Sequence, residues 1–133
     1  LYGVAGTLDF IVETGKNRHV FPPSSLKKII AGNLPGTYYL LDQMNGPGLT
    51  GHVTDATTEE PLIAEVYFPD IDTEDIERRT TEKRYGRYYR RLEPGTYRVI
   101  FRKPGYESRV MTDITVKDTG WTDLDVTLTP LSD

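Results

Sequence analysis

Between Gly48 and Pro130 the chain repeats one local pattern: a short stretch with an apolar residue at every second position, then a turn former. Ala64, Val66 and Phe68 alternate with Glu65 and Tyr67. Tyr97, Val99 and Phe101 alternate with Arg98, Ile100 and Arg102. Leu124, Val126 and Leu128 alternate with Asp123, Asp125 and Thr127. A period of two places one set of side chains on one side of an extended backbone, so each stretch predicts a strand with a single buried face. Pro94-Gly95 and Pro104-Gly105 bracket the Tyr97 stretch. Proline presets φ and glycine accepts positive φ, so both pairs suit tight turns. Short strands with turns at this spacing predict a sandwich of about seven strands.

The rest of the composition narrows the options. At 133 residues the chain has room for one ordinary domain with an appendage. Its net charge of -4 argues against nucleic acid as the main partner. The charge is unevenly spread: Asp70–Glu77 is acidic and Arg78–Arg91 basic. There is no cysteine, hence no disulfide framework and no thiolate chemistry. No apolar run approaches the roughly 20 residues that span a bilayer. The sequence opens on Leu1 without a signal-peptide pattern, and the expectation is that Leu1 is internal to a longer protein.

Ahead of the strands, Asn45-Gly46-Pro47-Gly48 reads as a linker. Upstream of it, Leu8, Phe10 and Val12 alternate with Asp9, Ile11 and Glu13 and predict a buried strand. Pro22-Pro23 breaks the chain. Ser24 or Ser25 then suits the cap of a helix through Leu26–Ile30. Gly32 and Pro35 are expected to interrupt it, with a second helical piece over 36–44.

The tail half carries an ordered set: G-x-V-x-D at Gly51–Asp55, G-x-Y-x-R at Gly86–Arg90, P-G-T-Y at Pro94–Tyr97 and P-G-Y at Pro104–Tyr106. This set resembles the transthyretin-like, carboxypeptidase-regulatory type of domain found behind the catalytic domain of carboxypeptidase D-type zinc carboxypeptidases. The resemblance implies a mainly β, transthyretin-like (prealbumin-like) antiparallel sandwich of about seven strands, preceded by a strand and a broken helix. The first region looks like the end of the zinc peptidase domain itself. It is carried by Tyr2-Gly3, F-I-V-E-T-G at Phe10–Gly15 and F-P-P-S-S-L at Phe21–Leu26. The implied division is 1–46, a remnant of the catalytic domain, and 47–133, the sandwich.

By that match Glu13 stands where the family keeps its catalytic glutamate. The zinc-bound water of such an enzyme loses a proton as it attacks the scissile carbonyl, and a nearby carboxylate takes it and delivers it to the leaving amine. The rest of the machinery does not match. The family's zinc sits on two histidines and a glutamate, two of them from His-x-x-Glu. The chain has only His19 and His52, neither of which begins that motif. Tyr2 lies too close to Glu13 to match the substrate-covering tyrosine, and no arginine motif for the substrate carboxylate is present. The implied zinc ligands therefore lie upstream of Leu1, and no metal ligand is assigned within the chain. The fragment alone is expected to show no turnover and no tight zinc. Peptide or protein substrate belongs to the parent enzyme, and the family implies a secreted or periplasmic location. The packing partner of the remnant would be its own catalytic domain or a second copy.

Other constellations weigh less. His52-x-x-Asp55 looks like a partial ligand pair but falls on a structural strand. Asp70, Asp72, Glu74 and Asp75 lack the spacing of a calcium loop and read as a solvated loop. Asp123-x-Asp125 reads as an outward, solubilising pair. The basic run interleaves with Tyr85, Tyr88 and Tyr89, a mixture that can bind single strands of nucleic acid. Strand periodicity instead sends Tyr88 and Leu92 to the core, with arginines snorkelling or pairing with the acidic loop. A Tyr/Arg surface also suits a protein interface. The alternative to a carboxypeptidase fragment is a standalone β-sandwich module that binds protein or ligand without catalysis.

Overall fold

A computed structural model describes residues 22–74 and 78–132. These residues divide into two units with the break between Asn45 and Gly46. The first is helical: α1 (Pro23–Asp42) followed by a short 3₁₀ turn (Gln43–Asn45). The expected strand around Phe10 lies outside the described residues.

Helix α1 departs from expectation at both its start and its middle. No serine caps it. Pro22 holds the N-cap position without a side-chain cap bond, and Pro23 occupies the first turn. Proline suits that position because its missing N–H would have no partner there and its φ is preset. Ser25 instead donates its hydroxyl to the Pro22 carbonyl at 2.9 Å. The helix also runs unbroken through Gly32 and Pro35. Proline removes a single ladder bond, and side chains supplement the ladder around it. Asn33 Nδ2 donates to the Ile29 carbonyl at 2.8 Å, and Thr37 Oγ1 donates to the Asn33 carbonyl at 3.2 Å. No residue of α1 is buried, and Ile30, Leu34, Tyr38 and Leu41 are all exposed.

The second unit is a sandwich of two sheets. Its strands are β1 (Gly48–Asp55), β2 (Glu65–Tyr67), β3 (Arg79–Thr80), β4 (Arg87–Arg91), β5 (Gly95–Arg102), β6 (Arg109–Val116), β7 (Trp121–Asp123) and β8 (Val126–Leu128). One sheet runs β4-β1-β7, with β8 also on β1; the other runs β3-β2-β5-β6. The second sheet is antiparallel throughout, whereas β7 and β8 pair with β1 in parallel. The predicted Leu124 strand is thus split. Leu124 N–H still reaches the Thr50 carbonyl at 2.8 Å, but the ladder shifts there. Gly51 explains the shift: a Cβ on it would collide with the Leu124 carbonyl. In β6 an extra residue bulges opposite Tyr97 and Val99, with Asp113 at φ 59°. Aspartate is among the few residues that tolerate this left-handed region.

The alternating residues meet between the sheets. Ala64, Val66, Phe68, Val99, Phe101, Val126 and Leu128 are all buried, and Leu49, Val53 and Tyr88 join them from β1 and β4. Tyr88 and Phe101 face each other across the sheets with ring centroids 5.4 Å apart. Full burial of such a side chain contributes about 1.5–3 kcal/mol. The G-x-V-x-D and P-G-Y elements close on one another. Asp55 accepts hydrogen bonds from Thr57 and Thr58 N–H at 2.6 and 3.0 Å, and Tyr106 Oη donates to Asp55 Oδ2 at 2.7 Å. The Tyr106 bond, then those backbone donors, hold the Asp55 carboxyl below the usual carboxylate range. The same pairing pushes the Tyr106 phenol up.

Phe101→Ala is expected to cost about 3–5 kcal/mol, read as a fall in the urea midpoint. Asp55 favours its ionised form in the folded state. It therefore stabilises the fold above its unfolded pKa of 3.8, and that contribution is lost as pH falls through its lower folded value. Asp55→Asn should lower the urea midpoint at neutral pH, and the gap to the natural protein should narrow progressively below about pH 4.

Candidate functional site

β4 brings opposite chemistries to its two faces. Tyr88, Arg90 and Leu92 point inward and are buried, while Arg87 and Tyr89 point out and are exposed. Sequence periodicity predicts that division, but it also forces a guanidinium into the interior. Arg90 is 5% exposed, deeper than a snorkelling arginine. Its charge is met by Asp72, also nearly buried, from the loop after β2. Asp72 is held by its own turn, since Oδ2 accepts Phe68 N–H at 2.7 Å and Asp72 N–H donates to the Phe68 carbonyl at 2.8 Å. The guanidinium also lies 5.4 Å from the centre of the Phe68 ring. Nearby, Asp70 pairs with Arg98 at 3.1 Å. The acidic loop is thus tied to arginines rather than left wholly to solvent.

Along this region runs a cleft of about 450 Å³, walled by β3 on one side and β4 on the other. Val66, Phe68 and Tyr88 form its floor, and Arg78, Arg87, Tyr85 and Tyr89 its rim. Arg78 pairs with Glu65 at 3.2 Å and lies 5.7 Å from the Tyr67 ring centre. Glu82 accepts the N–H groups of Arg84 and Tyr85 at 2.8 and 2.5 Å, which shapes the 82–86 turn. These bonds, the one from Arg84 first, hold its carboxyl below the usual range. Gly86 closes the turn at φ 64°, with the Val53 carbonyl where a Cβ would be. Burial, then the charges of Asp125 and Asp123, push the Tyr88 phenol well above its usual range, and its hydroxyl donates to the Leu124 carbonyl at 2.6 Å. The cleft therefore offers cations and aromatic faces. It suits recognition of an anionic partner rather than proton transfer near neutral pH.

The other candidates are placed as follows. Glu13, Tyr2 and His19 lie outside the described residues, as does Asp75. His52 and Asp55 do not converge. His52 Nδ1 lies 3.1 Å from Asp125 Oδ1, which also accepts the His52 N–H at 2.8 Å, while Asp55 is buried against Tyr106. Asp125 is therefore a hydrogen-bond partner as well as a solubilising charge. Among the described residues no group of three or more His, Cys, Asp or Glu could hold a metal ion. No described helix is long and apolar enough to cross a membrane. Sequence reasoning missed the cleft, because its walls come from strands that touch only in the fold. The Tyr/Arg alternation of β4 was the available signal.

Removing one member of a buried ion pair leaves the other uncompensated. Asp72→Asn or Arg90→Met should each cost about 3–5 kcal/mol, and replacing both by apolar residues should recover most of that loss in a double-mutant cycle by urea denaturation.

Comparison with curated protein sequences yields no significant match. Solved structures resemble the chain in part. One is a type II cohesin–X-dockerin complex of Acetivibrio cellulolyticus, at 17% identity and TM-score 0.45, covering 62% of this chain and 57% of that one. Another is described as a putative carbohydrate binding protein from Bacteroides uniformis, at 19% and 0.44, covering 62% and 41%. A third is the group B streptococcus pilus 2b backbone protein, at 18% and 0.45, covering 64% and 41%. The chain spans 57% or less of each of these three structures, and likeness at this level carries no functional argument. The family comparison is specific: the model of the carboxypeptidase regulatory-like domain matches residues 48–129, the whole run from β1 past β8, and the chain belongs to that family.

Proposed function

We propose that the chain is the C-terminal part of a zinc metallocarboxypeptidase, with residues 1–46 the end of the catalytic domain and 47–133 an accessory docking sandwich. One observation carries this reading. F-I-V-E-T-G and F-P-P-S-S-L stand directly ahead of a carboxypeptidase regulatory-like domain at 48–129, the order that such enzymes have. In this reading Glu13 is the general base that accepts a proton from the attacking water and passes it to the leaving amine. In this reading the zinc and its ligands would be supplied by sequence ahead of Leu1, since neither His19 nor His52 begins a His-x-x-Glu. The parent would remove C-terminal residues from peptides and would be secreted or periplasmic. The apolar side chains that α1 exposes would pack on the catalytic domain or on a second copy.

A second reading, a binding module without catalysis, draws on the basic and aromatic cleft between β3 and β4. The two separate on the complete coding sequence and on turnover of its product. The carboxypeptidase reading expects a His-x-x-Glu ahead of Leu1 and release of C-terminal residues from peptides. Glu13→Gln should then lower kcat by about 10²–10⁴-fold while zinc content stays unchanged. An unchanged kcat would remove Glu13 as the general base, whereas absent turnover with an upstream sequence lacking those ligands would leave the binding-module reading standing.

A further inference from the structure

β4 is the outer strand of its sheet, and its register with β1 fixes where its backbone groups point. Val53 N–H donates to the Gly86 carbonyl at 2.8 Å, and Leu92 N–H to the Pro47 carbonyl at 3.4 Å. In an antiparallel ladder the residues between alternate strictly. Tyr88 and Arg90 therefore turn their N–H and C=O toward β1, and Arg87 and Tyr89 turn theirs away. The Arg87 carbonyl accepts the Glu82 N–H at 2.8 Å, and the Arg87 N–H meets the Glu82 carboxylate. Beyond those bonds, no strand among the described residues pairs with this side of β4. The outward side faces the cleft, and the opposite wall is β3, the outer strand of the other sheet. The cleft is thus a slot between two strand edges.

The slot is also electrically distinct. The chain has a net charge of -4, yet the lining sets Arg78, Arg79, Arg87 and Arg90 against a single carboxylate, Glu82. Asp72 neutralises Arg90 and Glu65 pairs with Arg78, while Arg87 is exposed and joins no ion pair among the described residues. An outward N–H and C=O at Tyr89 match the backbone of another strand, and flanking arginines match its carboxylates. Phosphates would use the arginines but not the alternating backbone groups.

We propose that this slot receives an extended acidic polypeptide segment as an added strand on β4. The outward N–H and C=O of Tyr89 hold it, and its carboxylates meet the exposed guanidinium of Arg87. Five residues of β4 limit the contact to one short strand. The proposal rests on the docking role of the sandwich and not on Glu13, and its test reads binding rather than turnover.

The test titrates the full 133-residue chain with a synthetic peptide of about seven alternating Glu and Val residues, followed by amide NMR and hydrogen exchange. The expected result is shifts centred on Arg87 and Tyr89, with about ten-fold slower exchange at the Tyr89 amide. Arg87→Glu, at an exposed position that spares the core, should weaken binding by about five- to ten-fold. A peptide of the same charge with N-methylated backbone should bind at least about ten-fold more weakly. Equal binding of the N-methylated peptide would overturn the proposal, as would equal binding of a Lys/Val peptide. Shifts confined to another face, tighter binding of a single-stranded oligonucleotide of equal charge, or no binding at about 1 mM would also overturn it.

Discussion

A charged side chain inside a small sandwich has to be answered, and much of this molecule is arranged around that requirement. Tyr88 and Leu92 are the apolar residues that anchor β4 to the core. Strand periodicity then leaves Arg90, midway between them, no direction but inward. An unpaired guanidinium there would cost several kcal/mol. Asp72 supplies the counter-charge, and in doing so pins the loop after β2 against the opposite sheet. One ion pair therefore couples the two sheets at their open side and sets the position of the cleft walls. Replacing that pair by apolar residues would fill the same space, so its contribution is one of placement more than of net stability.

The opposite end of the sandwich is closed by neutral and charged hydrogen bonds rather than by an ion pair. Asp55 gathers two backbone N–H groups and the Tyr106 hydroxyl, joining the end of β1 to the turn after β5. Thr81 does similar work at the edge of the other sheet, accepting the Ala64 N–H at 2.9 Å and donating to the Leu62 carbonyl. The residues that carry the family resemblance, Gly51, Val53, Asp55, Gly86 and Tyr106, thus have structural roles: close approach, burial, turn closure. None of them converges on a reacting centre. Function in this unit has to be sought in what the scaffold leaves open.

What it leaves open is the β3–β4 side. Sandwiches protect strand edges with charge and short strands, and here β3 has two residues and β4 carries three arginines. The same features that discourage indiscriminate pairing make the edge selective for a segment of opposite charge. Protection and recognition are compatible because repulsion between like edges and attraction to an acidic strand arise from the same side chains.

The alternating stretches alone determined the sandwich. Ala64–Phe68, Tyr97–Phe101 and Leu124–Leu128 turn the residues that period two selects toward the core, with Tyr97 and Leu124 only partly buried, because a strand has only two faces and one must exclude water. Turn chemistry was local in part: Gly105 adopts φ 82° where Pro104-Gly105 predicts a turn, whereas Gly95 of Pro94-Gly95 opens β5 without a positive φ. Other features required the fold. Pro35 and Gly32 are tolerated inside α1, since single propensity penalties yield to a continuous hydrogen-bond ladder. The division of the last strand into β7 and β8, parallel to β1, follows from the close approach of Gly51 to Leu124, a contact between distant parts of the sequence that no local pattern records. Pairing of the arginines with the acidic loop was legible, but that Asp72 is the buried partner of Arg90 was set by the fold. His52 and Asp55, three apart on a strand, fell on opposite faces and found separate partners. The sequence alone can state which side of a strand is wet, because that depends on periodicity. Which charge meets which, and which edge stays open, depends on distances between segments that only the tertiary structure sets.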